Sequence, residues 1–271
     1  MRHALHLPPF GRFADPGVVL DLAHAAEEGG WDGFFTWDHM ARPHEPARHV
    51  VADPWILLAA VAATTTRLRL GPMITPLARR RPQKVARESV TLDHLSGGRM
   101  TLGVGLGVNS GGELARFGEV VDPKARAEIY DEALELLQVL WAGGEVDHHG
   151  THFTVDHVVF LPRPVQEPRI PLWGAAWGGG PERPVRRAAR LDGLFPVNTT
   201  IEQLGPMLEV VAQERGGLDG YDVMVEVTRA TSDRDLATLA GMGVTWAARE
   251  IDDARDPAEV IAEVAAGPPA G

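Results

Sequence analysis

Asp38 and His39 are the residues whose types and placement most directly offer chemistry. They close the stretch Trp31 to Met40, WDGFFTWDHM, in which a small and aromatic run from Gly33 to Trp37 stops abruptly at an acid and an imidazole. A short apolar run bounded by turn residues fits a buried strand, and such a strand delivers the two titratable groups to its carboxyl end. Imidazole changes charge near neutral pH, so His39 can accept or donate a proton or polarise an oxygen, with Asp38 tuning or orienting it. The plainer alternative is an Asp that caps the next segment beside a satisfied histidine.

Two glycine-rich loops offer binding chemistry. Gly103 to Asn109, GVGLGVN, lacks the third glycine of a dinucleotide fingerprint, because Val108 and Ser110 hold the candidate positions. Its glycines still let a planar ring or a phosphate approach the backbone, or else simply serve a tight turn. Ala175 to Pro181, AAWGGGP, follows an apolar strand and leads into a helix. N–H groups and the positive end of a helix dipole can hold a phosphate there, although phosphate sites in many barrels follow strands seven and eight, and this loop follows strand five. His148, His149, His152 and His157 are close in sequence, but strand alternation scatters them over two faces, so a solvated hairpin is expected and no metal site. Arg79 to Arg81 reads as a solvated face. No HExxH, GxSxG or Walker sequence is present.

These residues need elements to carry them. Asp15-Pro16 and Asp53-Pro54 each pair an N-cap residue with a proline at the first helical position, and Gly29-Gly30 and Ser96-Gly97-Gly98 supply stops. Strands are expected at 4–7, 33–37, 68–73, 100–104, 172–175, 194–197, 223–227 and 244–247. Helices are expected at 16–28, 54–62, 82–95, 124–141, 181–189, 201–215, 233–240 and 257–265. Such alternation is the pattern of parallel βαβ units with right-handed crossovers. About eight repeats in this length predict an α/β fold, a (β/α)8 TIM barrel, with a doubly wound sheet as runner-up. The barrel is expected to form one domain over 1–271, with a hairpin and extended return at 145–170 inserted after the fourth helix and a disordered tail at 267–271.

A net charge of −11 argues against a nucleic-acid partner. The absence of cysteine excludes disulfides and thiolate chemistry. The amino terminus lacks a signal-peptide pattern and no stretch reaches the roughly 20 apolar residues of a membrane span, so a cytoplasmic protein with no membrane partner is expected.

Taken as an ordered set, AAEEGGWDGFFTWDH, LRLGPMITPLARRRP, TLDHLSGGRMTLGVGLG, ELARFGE with Arg126, IPLWGAAWGGG and AARLDG resemble the bacterial luciferase-like family of flavin- and deazaflavin-dependent oxidoreductases. The resemblance implies a TIM barrel with the cofactor across the carboxyl ends of its strands. Asp38 and His39 would face the ring edge. Met73 and Ile74, before Thr75, would lie under the ring, where the family often has a non-prolyl cis bond. Gly105, Gly107 and Asn109 would border the ring and its side chain, and Ala176, Trp177, Gly178, Gly179 and Gly180 would hold the phosphate.

Two departures bear on function. Members that oxidise sugar phosphates with the deazaflavin F420 carry a glutamate where this chain has Val108. A long insertion after strand seven has almost no room between Thr228 and Asp235. The expected activity is a monooxygenase acting on a small organic substrate with FMN, reduced by a separate flavin reductase. The alternatives are an F420-dependent hydride-transferring reductase or dehydrogenase and a non-catalytic flavin-binding barrel. The family tendency implies a homodimer.

Overall fold

The structure, a computed structural model, describes residues 1–42 and 50–269; the last two residues of the expected tail lie outside that range. Strands β1 (Arg2–Leu7), β2 (Gly33–Thr36), β3 (Arg69–Pro72), β4 (Thr75–Pro76) and β5 (Leu102–Gly105) alternate with helices α1 (Pro16–Glu28), α2 (Pro54–Thr64), α3 (Pro82–Ser96) and α4 (Pro123–Trp141). The antiparallel pair β6 (Glu145–His149) and β7 (Thr154–Val159) follows α4 as the inserted hairpin. The repeat then resumes with β8 (Leu172–Trp177), α5 (Glu182–Ala188), β9 (Gly193–Val197), α6 (Ile201–Arg215), β10 (Asp222–Val227), α7 (Asp233–Gly241), β11 (Trp246–Glu250) and α8 (Pro257–Ala265).

The sheet order is β3-β2-β1-β11-β10-β9-β8-β5-β4, with parallel pairing throughout. β3 and β4 are two halves of one barrel strand: β3 pairs with β2 and β4 with β5, while the Leu70 to Met100 bridge draws β3 towards β5 and closes the ring. The result is the (β/α)8 barrel that the alternation predicts. β3 falls within the expected 68–73 run, and what the run does not show is the continuation after Met73–Ile74, where the peptide bond is cis and the chain changes partner to form β4.

Side-chain alternation builds two cores. Leu5, Phe34, Leu70, Leu102 and Leu172 point outward and pack under the helices. Ala4, Phe35, Met73, Trp173, Phe195, Met224 and Trp246 point inward and fill the barrel, so the interior is a packed plug beneath its carboxyl-end mouth. Burying a large aromatic side chain here contributes on the order of 2–3 kcal/mol. Asp15, Asp53, Asp122 and Asp256 cap α1, α2, α4 and α8, each ahead of a proline in the first turn.

The last barrel strand runs further than its apolar residues suggest. Arg249 and Glu250 remain in register with Leu5 and His6 of β1, so backbone pairing, rather than hydrophobicity, carries β11 to the mouth. That extension places Glu250 at the site.

Candidate active site

A basin of about 1260 Å³ opens at the carboxyl ends of the strands, with Phe10, Trp37, Ile74, Leu106, Phe195 and Val197 among its apolar lining residues. Asp38 and His39, both past the end of β2, reach it by different routes.

Asp38 is buried and saturated. Its Oδ2 accepts from Trp55 Nε1 at 3.1 Å and Thr75 Oγ1 at 3.0 Å, and its Oδ1 from Arg79 at 3.0 Å and Arg80 at 2.8 Å. Arg79 also donates to the Asp38 carbonyl at 2.6 Å. A carboxylate with four side-chain donors is a structural anchor: it ties the end of β2 to β4 and to the following turn. Arg79 and Arg80 correct the expectation of a solvated face, since their side chains are only 6% and 18% exposed. An arginine run adjacent to a strand end signals such burial only when the acid it neutralises is known.

His39 takes its partner from elsewhere. Its Nδ1 lies 2.6 Å from Glu113 Oε2, while Glu113 Oε1 accepts from the Met40 N–H. Asp38 therefore does not orient His39; Glu113, on the loop after β5, does. Burial pushes the Glu113 carboxyl up, but the His39 hydrogen bond and charge, the Met40 N–H and nearby Arg79 outweigh that and hold it below the ordinary carboxylate range. With Nδ1 engaged, Nε2 is the ring nitrogen left for a ligand, and among the described residues nothing bonds it.

Met73 and Ile74 form part of the basin floor beside the buried Thr75. Gly105 faces Ile74 so closely that a Cβ would overlap its side chain, and Gly107 combines positive φ (72°) with a Cβ position 2.8 Å from Pro76 Cβ. Both glycines are thus required by the loop's own packing. Arg126 fastens that loop by donating to the carbonyls of Leu106 and Gly107, and Asn109 accepts from the Leu114 and Ala115 N–H groups. Across the mouth, Ala176 and Trp177 line the basin, Trp177 at its exposed rim. Gly178 and Gly180 donate their N–H groups to the carbonyls of Val197 and Trp177, and α5 begins at Glu182 with Pro181 as its cap. Gly179 is the glycine of this turn with positive φ (65°).

The ends of β1, β11 and β10 carry residues that sequence reading missed. His6, buried at the end of β1, places Nε2 2.8 Å from the Met73 carbonyl and Nδ1 2.9 Å from Glu226 Oε1 on β10. Glu250 on β11 lines the same wall. Burial, then Glu226, with Asp252 and Asp253 adding to them against the pull of His6, raises the Glu250 carboxyl above its ordinary range. His6, Glu226 and Glu250 are far apart in sequence, and the available signal was their common inward phase with Ala4, Met224 and Trp246.

The histidine-rich hairpin lies apart from this basin. His148 pairs with Glu132 and His157 with Glu145. His149 stands with Asp147 and Asp156 in an exposed group whose ligand atoms fall within 4.8 Å, so carboxylates do neighbour these histidines, brought there by the strand pairing.

The sequence matches the luciferase-like monooxygenase family model over residues 4–263. It is 38% identical over 154 residues to y4wF of Sinorhizobium fredii, a match covering 57% of this chain and 43% of that one, so the chain spans under half the length of that relative. It is 34% identical over 245 residues to an F420-dependent glucose-6-phosphate dehydrogenase of Beutenbergia cavernae, covering 86% of this chain and 69% of the other. Among solved structures, monooxygenase RslO1 from Streptomyces bottropensis superposes with a TM-score of 0.78 at 21% identity, covering 97% of this chain and 96% of the other.

Proposed function

The chain belongs to the luciferase-like monooxygenase family of oxidoreductases, and from that premise and the basin's geometry we propose an F420-dependent hydride-transferring enzyme acting on a small alcohol or carbonyl compound. The observation that carries this reading is the His39–Glu113 pair, with His39 lining the basin and a carboxylate behind its Nδ1. Removing hydride from a carbinol requires that its hydroxyl proton leave too, and an imidazole backed by a carboxylate accepts that proton. The similarity to F420-dependent enzymes at 34% identity supports deazaflavin over FMN.

The residues present suit such a group: an apolar floor at Met73 and Ile74 for a flat ring, a polar edge at His39, and Ala176 and Trp177 on the far lining, while the Gly178 and Gly180 N–H groups are held by the carbonyls of Val197 and Trp177. Bound F420 would supply the hydride-accepting carbon. Glu113 keeps His39 turned to the basin, Arg126 and Asn109 hold the loop beside the ring, and Asp38 locks the strand ends beneath. Val108 stands where sugar-phosphate-oxidising members carry glutamate, so the substrate proposed is a simple alcohol or carbonyl compound. In this reading the enzyme works as a homodimer.

The second reading, a monooxygenase using FMN reduced by a separate reductase, is supported by the likeness of family and fold. Anaerobic F420 reduction against a panel of short primary and secondary alcohols, beside oxygen uptake with chemically reduced FMN and the same panel, separates the two. F420 reduction without oxygen uptake is expected; substrate-dependent oxygen uptake with FMN alone would replace the first reading with the second.

A further inference from the structure

His6 is a buried histidine that the proposed chemistry leaves unused. It is 1% exposed and sits at the inner end of β1, with its ring edge-on to Phe195 at 5.4 Å between centroids. Both ring nitrogens face acceptors: Nε2 is 2.8 Å from the Met73 carbonyl and Nδ1 is 2.9 Å from Glu226 Oε1. A carbonyl can only accept, so Nε2 carries a proton and donates it to Met73. Nδ1 lies between Glu226 from β10 and Trp37 on the side of β2, whose indole N–H donates to it at 3.2 Å, and the two contacts keep the ring on that line. Glu250, opposite His6 in the β1–β11 register, is the other ionisable group acting on this point.

The Met73 carbonyl lies where β3 ends and the barrel strand changes partner, so the sheet ladder stops supporting it there. A buried carbonyl without a donor costs about 1–3 kcal/mol. His6 supplies that donor from β1, two strands along the barrel from β3.

We propose that His6, aimed by Glu226, is a positioning residue that holds the Met73 carbonyl and thereby fixes the floor on which the cofactor ring rests. This inference rests on the reading of Met73–Ile74 as the ring's floor. His6 touches a backbone group and acts through it, so its effect falls on cofactor affinity before it falls on proton transfer.

The test measures F420 affinity by fluorescence titration in wild type, His6→Leu, His6→Gln, Glu226→Leu and Glu226→Gln, with thermal unfolding as a check of folding. Removing the donor in His6→Leu should weaken F420 binding about tenfold. His6→Gln, whose amide N–H can still reach a carbonyl, should recover most of that loss, and Glu226→Gln should lie closer to wild type than Glu226→Leu. A purely structural histidine would give two destabilised His6 variants with no rescue. Wild-type affinity in a folded His6→Leu protein, or equal losses in His6→Leu and His6→Gln, would overturn the inference while leaving the F420 reading intact. Failure of wild type to bind F420 would sink both. If His6→Leu does not fold, the imidazole nitrogen-15 spectrum of the wild-type protein decides: a protonated Nε2 supports the assignment, and an unprotonated one contradicts it.

Discussion

The two walls of the basin handle charge in opposite ways. On the wall after β2, β4 and β5, acids and bases are matched: Asp38 takes two guanidiniums and two neutral donors, and Glu113 takes His39, with Arg79 at 3.7 Å. On the wall after β10, β11 and β1, Glu226 and Glu250 line the basin beside His6, and Glu250 is held above its ordinary range. Matched, desolvated charges resist movement, whereas an acid in the company of other acids responds to whatever docks beside it. In the proposed reading the first wall holds the proton-transfer group in fixed relation to the cofactor, and the second carries the groups most responsive to what binds.

The largest effect should come from Asp38. Asp38→Ala would strip the nearest counter-ion from Arg79 and Arg80, leaving only Glu113 at 3.7 Å and Glu88 at 3.9 Å, and breaking a buried pair costs up to about 3–5 kcal/mol. Urea unfolding would show it, and a change below about 1 kcal/mol would mean that this wall is not held together by its charges. Next is His39→Ala, expected to lower kcat/KM by about 10²–10⁴-fold with little change in unfolding free energy. An undiminished rate would remove His39 from the mechanism and erase the functional asymmetry between the walls.

The contrast also has a pH signature of definite sign. Glu113 has a folded pKa below its unfolded value, so its contribution to stability is complete above the ordinary carboxylate value of about 4.3 and is lost as pH falls through the depressed folded value. Glu250 is raised, so its penalty is absent in acid and develops as pH rises through the elevated folded value. Accordingly, Glu113→Gln should lower the urea midpoint at neutral pH and converge with wild type in acid. Glu250→Gln should raise that midpoint slightly at neutral pH, the smallest of these effects, and also converge in acid. Midpoints measured across the acid range would show the two substitutions moving in opposite directions; movement in the same direction would contradict the comparison.

The sequence exposes one wall far better than the other. Asp38-His39 announces itself because a hydrophobic run stops at two polar residues, and the caps at Asp15-Pro16 and Asp53-Pro54 make the strand–helix rhythm readable. Glu113 is harder, because its loop lies 74 residues from His39 and its charge becomes meaningful only when β5 brings the two together. His6 and Glu226 are 220 residues apart, and each lies next to the last residue of its strand among apolar neighbours, so only closure of the barrel brings them together. The arginines after Thr75 were misread for the same reason: local sequence does not show that Asp38 lies under them.

The most direct test of the central claim is equilibrium titration of the purified protein with F420 and, separately, with FMN, followed by cofactor fluorescence. Saturable binding of F420, tighter than that of FMN and quenched or shifted as the ring enters the apolar floor beside His39, is the predicted result. Binding of neither would contradict the assignment of this basin as a cofactor site.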